Sequence, residues 1–182
     1  MLSGRRKRTL DDHSRVPAAV LIPLYQKEGQ YYVVFIKRTK MVKTHKGQIS
    51  FPGGAREIQD RTLLDTAIRE SFEEVGLQPG DIEILGELDD EITTTSNYIV
   101  TPFVAAVPWP YRFVRNLREV RQIIEIPISG LLDKDCLKAD TEFLEGRPVD
   151  SFAYHYQDKI IWGATARILN KFLEICRQAT GS

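Results

Sequence analysis

The sequence predicts a single domain of the α/β (α+β) class, a sandwich around a mixed β-sheet. Three observations indicate this class: several short segments rich in β-branched and aromatic residues, one amphipathic helical segment in the middle of the chain, and another that closes it. The length of 182 residues suits one domain with its own core. We expect residues 16–182 to form this domain and residues 1–15, with their basic start, to form a flexible tail.

The predicted strands lie on both sides of the first helical segment, and the first two form a hairpin with turn chemistry around Gly29. In chain order the predicted strands are 16–24, 31–38, 81–88, 97–108, 119–127 and 151–157, with a short extended piece at 48–51. Helices are predicted at 62–75 and 162–179, with a short helical turn at 128–132. Residues 52–54, Pro-Gly-Gly, are expected to interrupt regular structure.

Composition and charge argue against several functional classes. The 25 basic residues balance the 25 acidic ones, which gives no reason to expect nucleic-acid or membrane binding. No apolar run approaches the roughly 18 residues that cross a bilayer, and the N-terminus lacks the apolar stretch of a signal peptide. Cys136 and Cys176 are far apart and belong to no metal-binding motif, so we expect no structural zinc and a cytoplasmic location.

The helix at 62–75 has two contrasting faces. We expect Asp60 or Thr62 to cap its start and Gly76 to end it. On a helical wheel one face is apolar and is expected to pack inward: Leu64, Ile68, Phe72 and Val75. A narrow acidic strip on the opposite face is expected to line an open pocket: Glu70, Glu73 and Glu74.

This acidic strip destabilises the isolated helix. Glu70 and Glu74 are like charges four residues apart, which costs roughly 0.2–0.5 kcal/mol. Carboxylates in the last turn also oppose the helix dipole, although Arg69 can pair with Glu73. A bound divalent cation would offset this repulsion, and carboxylate oxygens suit Mg²⁺. For the helix taken alone, a solvated acidic face is the alternative.

Residues 53–77, GGAREIQDRTLLDTAIRESFEEVGL, resemble the Nudix box, Gx5Ex7REUxEExGU, in which U is apolar. Arg69, Glu70, Glu73 and Glu74 occupy its defining positions. The chain departs from the box because the spacing from Gly54 to Arg69 is longer, the early glutamate is missing and position 71 is serine. These departures, together with VFIKRTKMVKTHKGQISFPGG at 34–54, resemble the coenzyme A pyrophosphatase branch of the family.

The resemblance implies a Nudix-type α/β/α sandwich that hydrolyses a pyrophosphate bond with Mg²⁺ or Mn²⁺. It further implies that Glu70, Glu73 and Glu74 hold the metal, and that Arg69 orients a glutamate through a charge-assisted hydrogen bond. The implied substrate is coenzyme A or a derivative, and the products are 3′,5′-ADP and 4′-phosphopantetheine. A different nucleoside diphosphate derivative (ADP-ribose, a dinucleotide or a nucleoside triphosphate) and a non-catalytic ligand-binding module stay open as alternatives.

Substrate contacts are expected from the basic segment before the box and from its two glycines: Arg38, Lys43, His45, Gly53 and Gly54. Arginine suits bidentate phosphate binding, and glycine lets the backbone approach a metal or a phosphate. The alternatives are a basic surface loop and an ordinary tight turn. The partner is expected to be a small nucleotide, and a homodimer is left open.

The general base is not fixed by the sequence. One of the helix glutamates can serve, and a carboxylate from a later segment, Glu119 or Glu125, is the rival.

Overall fold

The protein is described here by a computed structural model that covers residues 7–39, 47–94, 96–144 and 147–180. The α-helices of this part are α1 (Leu63–Val75), α2 (Ile128–Leu132) and α3 (Gly163–Thr180). Its strands are β1 (Val16–Lys27), β2 (Gln30–Arg38), β3 (Ile49–Ser50), β4 (Gly53–Ala55), β5 (Glu83–Glu87), β6 (Glu91–Ile92), β7 (Tyr98–Ala106), β8 (Val120–Pro127), β9 (Leu137–Leu144), β10 (Arg147–Tyr156) and β11 (Lys159–Ile161). None of the described helices has the length and hydropathy that a bilayer crossing requires.

An eight-stranded sheet forms the centre of the domain. Its main path runs β3-β2-β1-β7-β5, with β4 beside β1, β6 beside β7 and β8 beside β2. The long strands β1 and β7 are parallel, whereas β1 is antiparallel to both β2 and β4. The sheet is therefore mixed, as the sequence predicts. A separate antiparallel sheet has the order β11-β10-β9.

Helices cover both faces of the central sheet. Successive side chains of β1 point to opposite faces and therefore pack in different clusters. Leu21 packs in one cluster with Ala67 and Val75 of α1. Its neighbour Ile22 packs in the other cluster with Leu169 of α3 and with residues of β10 and β11. The predicted α/β/α sandwich is confirmed, and the smaller sheet contributes to the α3 side of the core.

Helix α1 begins and ends where the sequence predicts. Thr62 is its N-cap: the Asp65 N–H donates to the Thr62 hydroxyl over 3.1 Å, and the Thr62 N–H donates to the Asp65 carboxylate over 2.8 Å. This reciprocal pair is a capping box. Gly76 ends the helix with φ at 70°, a left-handed conformation that glycine adopts without a steric penalty.

The buried side of α1 is shifted from the side that the helical wheel predicts, although Val75 is buried as expected. Phe72, expected to point inward, is 46% exposed, whereas Glu74 is only 1% exposed. The cause is β4, which packs beside the helix with two glycines, Gly53 and Gly54, where side chains would otherwise stand. The helix approaches these glycines closely and buries part of its acidic side.

Several strand predictions also need correction. The strand predicted at 16–24 continues to Lys27, and the one predicted at 151–157 begins at Arg147. Strands β9 and β11 are missing from the prediction. Of the break predicted at 52–54, only Pro52 lies outside a strand, because Gly53 and Gly54 pair with β1 as part of β4.

Part of the segment predicted as a flexible tail is described, and it contacts the domain. The Lys7 ammonium lies 3.0 Å from the Asp90 carboxylate. The backbone N–H groups of Arg8 and Leu10 donate to Asp89 and Asp90. These contacts attach residues 7–10 to the connection between β5 and β6.

An ion cluster joins α3 to both sheets. Arg167 of α3 donates to Glu91 of β6 over 2.7 Å and to Glu142 of β9 over 2.8 Å. Glu142 also accepts hydrogen bonds from the hydroxyls of Thr94 and Ser151. Burial raises the pKa of Glu142, but these hydroxyls and Arg167 outweigh it and hold the pKa below its ordinary value of 4.5.

The Glu142 cluster predicts an acid-sensitive part of the stability. A carboxyl group whose folded-state pKa is depressed stabilises the fold above its unfolded-state pKa and loses this contribution as pH falls through the folded-state value. We expect Glu142→Gln to lower Tm at neutral pH, and the difference from wild type to shrink progressively below pH 4.5. Thermal unfolding followed across this pH range checks the prediction. A difference in Tm that does not change with pH would contradict it.

Candidate active site

The site lies where β4 passes beside α1, and its geometry depends on two glycines. Gly53 has φ at 154°, and a Cβ added there would stand 2.3 Å from the carbonyl oxygen of Ala19. A Cβ on Gly54 would stand 2.5 Å from the carboxylate of Glu70. Only bare backbone therefore lets β4 pair with β1 and approach the acidic side of the helix.

Glu74 is fixed between two strands. Its Oε2 accepts a hydrogen bond of 2.9 Å from the backbone N–H of Gly53 in β4, and its Oε1 accepts one of 2.8 Å from Nη1 of Arg38 in β2. Burial raises the pKa of Glu74 above its ordinary value of 4.5, whereas the Arg38 charge and the Gly53 N–H act in the opposite direction and favour the ionised carboxylate. The predicted exposure of this glutamate to an open pocket is wrong, because its carboxylate is turned into the protein.

Arg69 connects the helix to the loop before it. Its Nε and Nη2 bind the two carboxylate oxygens of Asp60 at 3.0 and 2.9 Å, and Nη2 also donates to the carbonyl oxygen of Ala55. Its Nη1 donates to Glu70 at 2.8 Å and lies 3.4 Å from Glu73. One guanidinium thus orients Glu70 while being held by Asp60.

Asp60 belongs to this site, although the sequence predicts it only as a candidate helix cap. It is 5% exposed and accepts hydrogen bonds from the Thr66 hydroxyl and the Glu57 N–H, in addition to Arg69. The Arg69 guanidinium holds the pKa of Asp60 well below its usual range. Asp60 therefore remains ionised and fixes Arg69.

The two rival candidates for the general base lie in different surroundings. Burial is the main cause of the raised pKa of both Glu70 and Glu74, and the charge of Glu119 adds to it in both cases. Burial raises the pKa of the Tyr25 phenol, and Glu125 adds to this rise. Of the two rivals, Glu119 is thus the one that acts electrostatically on the helix glutamates.

Of the remaining predicted residues, the structure describes Glu73 and Arg38. Glu73, at the last turn of α1, has half of its side chain exposed (50%). Arg38 contacts Glu74, and its role toward substrate stays a prediction. Lys43 and His45 lie outside the described residues.

The donor atoms of the site suit a hard divalent cation. Glu70, Glu73 and Glu74 supply carboxylate oxygens, and those of Glu70 and Glu74 lie beside the half-buried backbone of β4. In the described part of the chain no three His, Cys, Asp or Glu side chains converge closely enough to hold a metal. Arg69 and Arg38 hold two of these carboxylates in hydrogen bonds. The residues fit a cation in chemistry and location, and they must rearrange to bind it.

The family model described as NUDIX domain matches residues 15–133, which include β4, α1 and their contact. The chain belongs to the Nudix family. The resemblance seen in the sequence is thereby confirmed at the level of the family. As a Nudix hydrolase the protein is a pyrophosphohydrolase, and this class of enzyme generally requires a divalent metal.

Relatives with high coverage carry the same family name. The "Uncharacterized Nudix hydrolase NudL" of Photorhabdus laumondii is 32% identical over 165 residues, which cover 91% of this chain and 87% of that protein. The protein of the same name from Yersinia pestis is 34% identical over 152 residues, covering 84% of this chain and 75% of its own length.

Solved structures agree with the fold. The MutT/nudix family protein from Enterococcus faecalis has a TM-score of 0.62 at 14% identity, covering 92% of this chain and 64% of that one. The NUDIX domain of Shewanella oneidensis NrtR, complexed with ADP ribose, has a TM-score of 0.53 at 16% identity, covering 66% and 78%. At such identities the likeness establishes the Nudix fold alone.

The contact between Gly54 and Glu70 predicts a selective loss of activity. Gly54→Ala places a methyl group within 2.5 Å of the present carboxylate position, so Glu70 must move. We expect kcat/KM to fall about 10- to 100-fold, since small displacements of positioned groups cost that much, while the fold is retained. The matched control is Gly80→Ala, where an added Cβ meets nothing within 4 Å. Equal activity of the two variants would count against this arrangement.

Proposed function

We propose that the protein hydrolyses the pyrophosphate bond of coenzyme A or its derivatives, with Mg²⁺ or Mn²⁺, to give 3′,5′-ADP and 4′-phosphopantetheine. The observation that carries the reaction class is the packing of Glu70 and Glu74 against Gly53 and Gly54 within a Nudix fold. Support for coenzyme A comes from the segment at 34–54, which resembles the coenzyme A pyrophosphatase branch.

In this proposal the acidic side of α1 holds the cation, and Arg69 orients Glu70 on that side. Glu70, Glu73 and Glu74 would be its ligands, and Arg69 keeps Glu70 in place because Asp60 binds the other edge of its guanidinium. A bound divalent cation neutralises phosphate oxygens and lowers the pKa of the attacking water. That water forms a bond to one phosphorus, the bridging P–O bond breaks, and the proton of the water passes to a base.

Outside the helix, Glu119 is the candidate base that we favour. Its charge contributes to the pKa values of both Glu70 and Glu74, whereas Glu125 contributes to the pKa of Tyr25. A helix glutamate remains the rival. We propose further substrate contacts from the backbone of Gly53 and Gly54 and from Arg38, Lys43 and His45, a hydrolase domain at 16–182, and a cytoplasmic location.

The second candidate is hydrolysis of another nucleoside diphosphate derivative, such as ADP-ribose. It is favoured by the Shewanella oneidensis NrtR domain, whose solved structure holds ADP ribose, although that domain is only 16% identical. A substrate of this kind lacks the additional 3′-phosphate of coenzyme A. The two candidates are therefore separable by direct comparison of substrates.

The experiment is a substrate panel with product identification. The purified enzyme is incubated with Mg²⁺ or Mn²⁺ and with coenzyme A, dephospho-coenzyme A, ADP-ribose, a dinucleoside polyphosphate or a nucleoside triphosphate. Products are separated by chromatography and identified by mass, and Glu70→Gln is the control for contaminating hydrolases. We expect the highest kcat/KM with coenzyme A. Faster cleavage of ADP-ribose would favour the second candidate, and no turnover of any member would favour a ligand-binding module.

A further inference from the structure

Arg38 stands at the end of β2, on the face of the sheet that carries α1. Its neighbour two residues earlier, Ile36, packs in the α1 cluster, and the pairing of β2 with β8 shifts register between Lys37 and Arg38. The extra residue, Arg121, belongs to β8, and irregularities of this kind are common next to functional sites. Arg38 is aimed at Glu74, with Nη1 2.8 Å from Oε1.

Glu74 depends on this contact for its charge balance. Its side chain is 1% exposed, and among the ion pairs of the described residues it takes part in one, with Arg38. An ionised carboxylate buried without a partner is strongly unfavourable. Its other oxygen is bound by the neutral Gly53 N–H, so the opposing full charge comes from Arg38.

We propose that Arg38 is the internal counter-ion of Glu74 and competes with the divalent cation for this carboxylate, so that cation binding releases the guanidinium. The inference rests on the proposed function in one respect, because it takes Glu74 as a cation ligand. A guanidinium and a divalent cation on the same carboxylate repel each other, and this repulsion is strong where water is excluded. Arg38 is thus a positioning residue that lowers the affinity of the site for the cation.

The released guanidinium has hydrogen-bond donors to offer. The Nε atom of Arg38 is buried and has no hydrogen-bond partner among the described residues. Together with the freed Nη1, it presents the paired donors that bind phosphate oxygens well. The competition thereby links cation binding to the phosphate contact that the sequence predicts for Arg38.

The test measures cation binding without any nucleotide. Mn²⁺ is titrated into wild type and Arg38→Gln by calorimetry, and Tm is measured with and without Mn²⁺. We expect Arg38→Gln to bind Mn²⁺ about tenfold more tightly, with a larger Mn²⁺-induced rise in Tm. Lys37→Gln is the matched control, because it removes the same charge from the adjacent position, whose side chain alternates to the opposite face; it should behave as wild type.

An equal or smaller Mn²⁺-induced gain in Arg38→Gln than in wild type would overturn the competition. If Arg38→Gln unfolds without metal, recovery of the fold on adding Mn²⁺ supports the proposal, and failure to recover contradicts it. Arg38→Lys, which keeps the charge but lacks the planar guanidinium, should show an intermediate gain, and a gain equal to wild type also contradicts the proposal. Because no substrate is present, these results stand apart from the outcome of the substrate panel.

Discussion

Glu70→Gln should reduce kcat by about 10²- to 10³-fold while Tm changes little, since the variant removes charge stabilisation from the reacting groups and not packing. The glutamine carbonyl oxygen can still accept the hydrogen bond from Arg69 Nη1, now 2.8 Å long, so the local geometry is retained. The lost group is the negative charge beside Gly54. Steady-state kinetics at saturating Mg²⁺ and a thermal melt measure both quantities.

The matched control is Glu83→Gln, an exposed glutamate at the start of β5. It removes the same charge without touching α1 or β4 and should keep wild-type kinetics. Glu70→Gln activity within a few-fold of this control would contradict the assignment of Glu70 to the metal. Glu74→Gln is a poorer test of catalysis alone, because it also removes the partner of Arg38.

Arg69→Met should destabilise the fold by about 3–5 kcal/mol, because it leaves the buried Asp60 carboxylate without its counter-charge. Asp60 is 5% exposed and is bound by Arg69 through two parallel N–H groups. The variant also frees Glu70, so activity should fall as well. Denaturant unfolding gives the change in the free energy of unfolding.

Arg56→Met is the comparison that isolates this charge effect. Arg56 lies in the same loop as Asp60, and among the described residues its side chain donates only to backbone carbonyl oxygens, those of Asp60 and Arg61. Its loss should cost about 1 kcal/mol, the net worth of ordinary hydrogen bonds. If both variants lose the same stability, the buried Asp60–Arg69 pair is not the main contribution.

The parts of the fold that local chemistry specifies could be predicted from the sequence. Helix α1 was predicted almost residue for residue, because Thr62 caps it and Gly76 ends it through interactions within a few residues. The strands β1, β2 and β7 follow from runs of β-branched residues. Strands β9 and β11 were missed because much of β9 and part of β11 are exposed and mix polar with apolar residues.

Only part of the candidate site could be predicted from the sequence. The sequence predicts that Glu70, Glu74 and the glycine pair lie in one region, and the structure brings them together. The burial of Glu74 by β4 could not be predicted, because a helical wheel shows which residues are apolar and does not show which strand packs beside the helix. The pairing of Arg38 with Glu74 joins β2 to α1, which are far apart along the chain. The pairing of Asp60 with Arg69 joins α1 to the loop before it. Neither contact follows from a local sequence pattern.

The position of a bound Mn²⁺ ion tests the central claim most directly. Crystals grown with Mn²⁺ would reveal the ion through its anomalous scattering. We expect a peak between the carboxylates of Glu70 and Glu74, beside the backbone of Gly53 and Gly54, with Arg38 moved away from Glu74. A peak only at other acidic residues, such as Asp89 and Asp90, or no peak at saturating Mn²⁺, would contradict it.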